Sequence, residues 1–132
     1  MGFIPCKTDK GEVLPYEYRP VSAITPKIGM ALCYSSGKLA VATGTTVPEY
    51  ISMCEKSTAC TAGDLIPVIR VNPDTIFETS FSASATDIVP GNKVTLHASS
   101  GMQVTATTTS GVAEVIEMDG TAAGSKCRVR FS

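Results

Sequence analysis

One histidine, five cysteines and a scatter of carboxylates are the side chains in this sequence able to do chemistry. His97, in "VTLHASSG", is the only histidine and so the only candidate for proton transfer near neutral pH; the plainer alternative is a hydrogen-bonded strand residue beside a turn. Cys6, Cys33, Cys54, Cys60 and Cys127 form an odd set with no C-x-x-C and no metal-like pairing with His97, which reads as reduced thiols rather than a zinc site or a Cys54–Cys60 disulfide. Cys33 and Cys127 fall within apolar runs, where cysteine packs as a small hydrophobe. Glu114 with Glu117, or Asp74 with Glu78, are carboxylate pairs of the kind that serve glycoside hydrolysis or calcium binding, but a solvated β surface accounts for them. A calcium loop needs several closely spaced Asp or Asn residues around a Gly, and "MDGTAAG" supplies one acid. G-x-S-x-G, H-E-x-x-H, P-loop and G-x-G-x-x-G patterns are all missing. The expectation is a protein that is not an enzyme and has no metal or cofactor; a small enzyme remains the alternative, and would rest on His97.

The elements that would position these groups read as strands. Apolar runs are short, rich in Val, Ile and Thr, and bounded by Gly, Ser, Pro and Asp. From Met30 onward nine are predicted: "MALCYS", "LAVAT", "EYISMC", "LIPVIRV", "TIFETSFS", "KVTLHA", "MQVTAT", "AEVIEM" and "KCRVRF". "SSGK" and "SSGM" place Gly where hairpins need positive φ, and "NPDT" and "VPGN" combine a φ-fixing Pro with turn-tolerant neighbours.

The chain also resembles itself. "SSGKLAVATGTT" (35–46) matches "SSGMQVTATTTS" (99–110) at an offset of 99 − 35 = 64, and "EYISM" (49–53) matches "EVIEM" (114–118) at 114 − 49 = 65. "TAGDLIPVIRV" (61–71) then matches "TAAGSKCRVRF" (121–131) at 121 − 61 = 60. Two readings follow: shared β composition, or two similar four-strand meanders, 28–71 and 91–131, joined by 72–90. The second predicts an all-β domain over 28–132, a small β-barrel or tight β-sandwich, with pairing of the halves covering exposed edges.

Residues 1–27 carry Pro5, Pro15, Pro20 and Pro26 and read as an irregular, proline-rich N-terminal arm. Its Phe3, Tyr16, Tyr18 and Arg19 are the candidate partner-interface residues, because Tyr and Arg concentrate at binding hot spots; the competing arrangement packs the aromatics onto the chain's own β body. With eleven basic and twelve acidic residues and a net charge of −1, no phosphate-binding stripe exists, so nucleic acid is not an expected partner. No apolar run is long enough for a membrane-spanning helix, no membrane partner is expected, and the start lacks a signal-peptide layout, which predicts synthesis in the cytoplasm.

"ITPKIGMALCYSSGKLAVATGTTVPEYISM" followed by "AGDLIPVIRVNPDTIFE" resembles the small capsid decoration, or cement, proteins of tailed bacteriophages. There a Gly-containing segment leads into G-x-ALxxxSGKL, then a Pro-Xaa-Tyr-Ile element and a GDxIPVIRV strand; the resemblance spans about residues 20–131 and is most specific from Lys27 to Glu78. It implies a non-enzymatic β domain, made in the bacterial host cytoplasm, that sits on the virion capsid surface. Its partner would be the major capsid protein, it would associate with itself, a trimer being favoured, and it would stabilise the assembled head. No catalytic residue carries over. The alternative is a glycan- or cell-surface-binding β module of a phage fibre or virion, with a groove lined by Tyr34, Tyr50 or His97.

Overall fold

The computed structural model describes residues 2–8 and 15–132. It is all-β, with ten strands: β1 (Ile4–Thr8), β2 (Glu17–Pro20), β3 (Ala31–Ser35), β4 (Lys38–Val41), β5 (Tyr50–Ser52), β6 (Leu65–Arg70), β7 (Thr75–Ser80), β8 (Lys93–Val94), β9 (Ala113–Met118) and β10 (Lys126–Phe131). They form two five-stranded antiparallel sheets, β2-β6-β5-β3-β4 and β1-β7-β10-β9-β8, stacked as a sandwich. Of the two predicted architectures the barrel is excluded. Single bridges, Val21–Leu39 between the two edges of the first sheet and Phe81–Val104 from the end of β7 in the second, curl each sheet without closing it.

The two halves are alike, but neither is a meander. In the first unit the leading strand, β3, lies inside its sheet with its hairpin partner β4 on one side and β5 on the other; in the second, β8 is the edge strand, with β9 on one side and only the Leu96–Val104 bridge just beyond it where β4 would be. The register repeats pair by pair. Leu32 faces Tyr50 as Val94 faces Ala113, and Ile51 faces Ile69 as Glu114 faces Arg130. Tyr34 faces Leu39 as Leu96 faces Val104, and Tyr18 faces Pro67 as Glu78 faces Arg128. Loop bonds repeat as well: Val21 N donates to Asp64 O and Gly63 N to Val21 O, while Phe81 N donates to Ser125 O and Gly124 N to Phe81 O. The repeating unit therefore includes β2 and β7; the joining stretch 72–90 carries β7 as the counterpart of β2. The predicted "MQVTAT" strand is reduced to the Val104 bridges, held by Thr95–Thr105 and Thr95–Thr107 backbone bonds.

Residues 1–27 are not an irregular arm where described. β1 lies on the outer edge of β7, β2 lies at the edge of the other sheet, and Phe3 is fully buried. Prolines misled the prediction because an edge strand needs ladder bonds on one side only. Pro5 and Pro20 occupy edge strands. Pro67 is tolerated inside β6 because it lies one residue past the last β5 pair, Ser52–Val68, where its carbonyl still accepts from Met53 N.

Alternation sorts the side chains into two cores. Val21, Leu32, Leu39, Tyr50, Ile66 and Val68 fill the inside of the curled first sheet, beneath a loop tied down by Cys60 N to Ile24 O and Lys56 N to Pro26 O. That loop is "CEKSTAC", residues 54–60. Ala31, Ile51 and Ile69, on the opposite face of that sheet, pack into the interior of the second with Phe77, Val94, Val129 and Phe131. Phe3 completes this layer, its ring 5.0 Å from Phe131, which in turn lies 5.5 Å from Phe77.

Candidate interaction surface

The pairwise repeat places Glu17, Arg70, Tyr34 and Tyr50 of the first unit where the second has Phe77, Phe131, Leu96 and Ala113. Identical backbone positions thus carry opposite chemistry. In the second unit they are apolar, buried and capped by Phe3. In the first they form a polar and aromatic rim around the mouth of the curled sheet.

β2 and β6 hold the charged part of the rim. Arg70 donates to Glu17 from Nε and from Nη2, each at 3.1 Å, and Arg19 Nη2 reaches the same carboxylate at 2.5 Å. Hydrogen bonds from Arg70 first, then Arg19, hold the Glu17 carboxyl below its ordinary range, and the same bonds raise both guanidinium groups. Both guanidinium carbons stand over the Tyr50 ring, Arg70 at 5.4 Å and Arg19 at 5.8 Å from its centroid. Tyr34 meets Tyr50 edge-on at 5.9 Å and is itself 41% exposed. Glu49 fixes this end of β3 by accepting from Tyr34 N at 3.0 Å. Arg19 Nε has no acceptor among the described residues.

Outside this rim, Tyr16 and Tyr18 are 61% and 64% exposed and Leu65 is 61% exposed. Tyr18 lies opposite Pro67 and Pro20 opposite Leu65, so Tyr18, Pro67, Pro20 and Leu65 share one side of the sheet, opposite to Glu17 and Arg19. β2 therefore presents a charged side toward Tyr50 and an apolar side beyond the cover of the second sheet.

Of the four residues predicted to meet a partner, Tyr16, Tyr18 and Arg19 cluster on or beside β2, whereas Phe3 is a core residue with no exposed surface. Sequence reasoning missed Glu17 and Arg70 because nothing local links positions that far apart. The alternating pattern of "YEYRP" was the available signal that 16–20 is a strand rather than an irregular segment.

Other candidate groups lie elsewhere. His97 Nδ1 is 3.0 Å from Ser100 Oγ and accepts from Ser100 N at 3.3 Å, so its ring caps its own turn rather than joining Tyr34 and Tyr50. Cys127 is buried, and desolvation pushes its thiol up to about 12; burial also raises Cys33. Neither has the character of a nucleophile. Glu78 and Asp119 flank Arg128 at 3.3 Å and 2.5 Å on the solvated side of the second sheet, with Glu117 at 4.0 Å, an ion-pair cluster rather than an acid–base pair. No group of three or more His, Cys, Asp or Glu side chains placed to hold a metal ion occurs among the described residues, and they include no helix long and apolar enough to cross a membrane. No protein-family model matches the chain, and no curated protein matches its sequence.

Proposed function

We propose that this chain is a non-enzymatic structural protein that decorates the outer surface of an assembled bacteriophage head, binding the major capsid protein and stabilising the lattice. The observation that carries this reading is the projection of Tyr16, Tyr18 and Leu65 from a sheet edge, on a body whose four phenylalanines are packed inside. Tyrosine is enriched at the cores of protein interfaces. A rigid two-sheet body suits a task in which many copies each add a modest contact and the lattice sums them. The resemblance of the 27–78 segment to phage decoration proteins points the same way. On this reading the protein is made in the bacterial cytoplasm and ends on the virion surface.

The test is co-sedimentation with undecorated phage heads. The full chain is expected to pellet at a fixed number of copies per capsomer, and a folded Tyr16→Ala/Tyr18→Ala variant to stay in the supernatant. A wild-type chain that remains in the supernatant at every concentration would overturn the proposal.

One observation favours a second reading. The Tyr34–Tyr50 pair, flanked by Arg70, offers an aromatic edge and charged donors at a shallow mouth, as a glycan-binding module of a virion or fibre would. Saturable glycan binding abolished by Tyr34→Ala would support it; no binding across a broad glycan panel would remove it.

A further inference from the structure

We infer that the outer edge of β2 pairs antiparallel with the same edge of a second copy of this chain, across a two-fold axis beside Tyr18. The inference rests on the fold and is independent of the capsid reading.

The internal repeat shows what a sheet edge of this kind carries. β7 is the counterpart of β2, residue for residue against β10 and β6. The outer edge of β7 is paired antiparallel by β1, with Ile4 opposite Glu78 and Pro5 opposite Phe77. Glu78 is the counterpart of Tyr18. Among the described residues no strand pairs with the equivalent edge of β2 along Glu17–Arg19; past Pro20 that edge meets β4, through the Val21–Leu39 bridge and Ser22 N donating to Leu39 O. An uncovered edge presents a row of unpaired amides and carbonyls that templates another strand.

The direction of those groups follows from the bonding already present. Pro67, opposite Tyr18, turns its carbonyl toward Met53 on the far side, and Val21 N–H points inward to Asp64 O. Alternation then sends the main-chain groups of Glu17 and Arg19 toward β6, and both the N–H and the C=O of Tyr18 outward.

The short sequence Glu17-Tyr18-Arg19 is its own antiparallel complement. A two-fold axis beside Tyr18 lets the two Tyr18 residues exchange N–H···O=C bonds, and sets Glu17 of each copy opposite Arg19 of the other. A parallel arrangement would instead align Glu17 with Glu17 and Arg19 with Arg19, which is repulsive. Pro20, lacking an N–H, ends the ladder and fixes its register. Opposed residues point to one side, so pairing also brings Tyr18 and Leu65 of both copies onto a continuous apolar platform. The result is an isologous dimer, and a cyclic trimer cannot contain it.

Light scattering of the full chain, from low micromolar to millimolar, is expected to show the mass rise from 13.8 kDa to twice that, 27.6 kDa. Tyr18→Pro removes the outward amide without touching the bonds to β6, and is expected to weaken self-association by about tenfold or more, while Tyr18→Ala, which keeps the amide, still dimerises. Arg19→Glu sets carboxylates opposite one another and is expected to give monomers; it serves as the second variant where Tyr18→Pro does not fold by circular dichroism. A wild-type mass that stays monomeric throughout, a trimer, or a folded variant of either kind that dimerises as tightly as wild type would overturn the pairing. Head sedimentation is scored separately: a dimer that ignores phage heads keeps the pairing and removes the lattice reading, and a monomer that binds heads does the reverse.

Discussion

Arg70 donates from both Nε and Nη2 to the carboxylate of Glu17, each at 3.1 Å, although the residues stand 70 − 17 = 53 positions apart. This fork ties the edge strand β2 to β6 on the side where Tyr50 lies beneath both guanidinium groups, and makes the edge a charged element with a fixed shape.

The fork has a pH signature. Hydrogen bonds from Arg70 and then Arg19 lower the Glu17 pKa from its ordinary 4.5. A carboxyl with a depressed folded-state pKa binds its proton more readily in the unfolded chain, so its stabilisation is present in full above 4.5 and is lost as pH falls through the lower folded value. Urea denaturation at neutral pH is expected to find Glu17→Gln less stable than wild type, and the gap is expected to shrink at about pH 3. A gap that stays constant across that range would show that the fork contributes nothing through charge.

Phe3 makes a second prediction, and it decides how the surface of β2 is to be probed. Its ring is fully buried against Phe131 within the layer that holds the two sheets together. Phe3→Ala is expected to cost about 3–5 kcal/mol of unfolding free energy, the range for truncating a buried aromatic. Deleting residues 2–19 would remove this ring, β1 and most of β2, so the truncated chain is expected to lose its cooperative thermal transition. A deletion that melts like wild type would show that the amino-terminal strands are dispensable. Point substitutions at Tyr16 and Tyr18, which are exposed, are the means of separating docking from folding.

How much of this was legible in sequence can be argued from particular offsets. The matched segments take corresponding places in the two sheets, yet the register of pairing aligns Tyr50 with Ala113, an offset of 113 − 50 = 63 rather than 65, and Leu39 with Val104, 104 − 39 = 65 rather than 64. The first error is two residues, one pleat repeat; the second is a single residue. A slide of two leaves every side chain on the same face, so polarity patterns cannot detect it. In the last strand the sequence match followed "TA", whereas the conserved geometry is the positive-φ glycine, Gly63 at 98° and Gly124 at 88°. The first hairpin tip was readable because Ser36 and Gly37 both adopt positive φ in a two-residue turn between Ser35 and Lys38. The rim of Glu17, Arg19, Arg70 and Tyr50 was not, since it exists only once β2 has paired with β6.

Two glycines separate conformational need from crowding. Gly37 has φ +81° at the β3–β4 turn with open space around the missing side chain, so Gly37→Ala meets only backbone strain and is expected to cost about 1 kcal/mol. Gly111 carries no positive φ, but a Cβ there would lie 2.2 Å from Lys93 O and 2.7 Å from Val94 N, against the backbone of β8. The obstacle is main chain, which cannot rotate aside. Gly111→Ala is expected to lower the melting temperature more than Gly37→Ala does; the reverse order would mean that β8 shifts freely, in conflict with its bonds to Ala113 and Val112.

The thiols provide a graded readout of the same architecture. Cys6 is exposed on the edge strand β1, Cys33 and Cys54 are half-buried, and Cys60 and Cys127 are buried in different cores. A thiol reacts as its thiolate and only where reagent can reach it. Cys127 fails on both counts, since desolvation holds its pKa near 12 and its side chain is enclosed between the sheets. Cys6 is accessible, though partial burial and then the Glu78 carboxylate raise its pKa and slow it relative to a free thiol. Titration of the native protein with an aromatic disulfide at neutral pH is therefore expected to modify Cys6 first. Cys60 and Cys127 are expected to react only at the rate of unfolding, and all five together in denaturant. Mapping the labelled peptides checks the order. Labelling of Cys127 ahead of Cys6 would require the two sheets to part more easily than β1 exposes its own edge, and would contradict the Phe3, Phe77 and Phe131 packing that closes that layer.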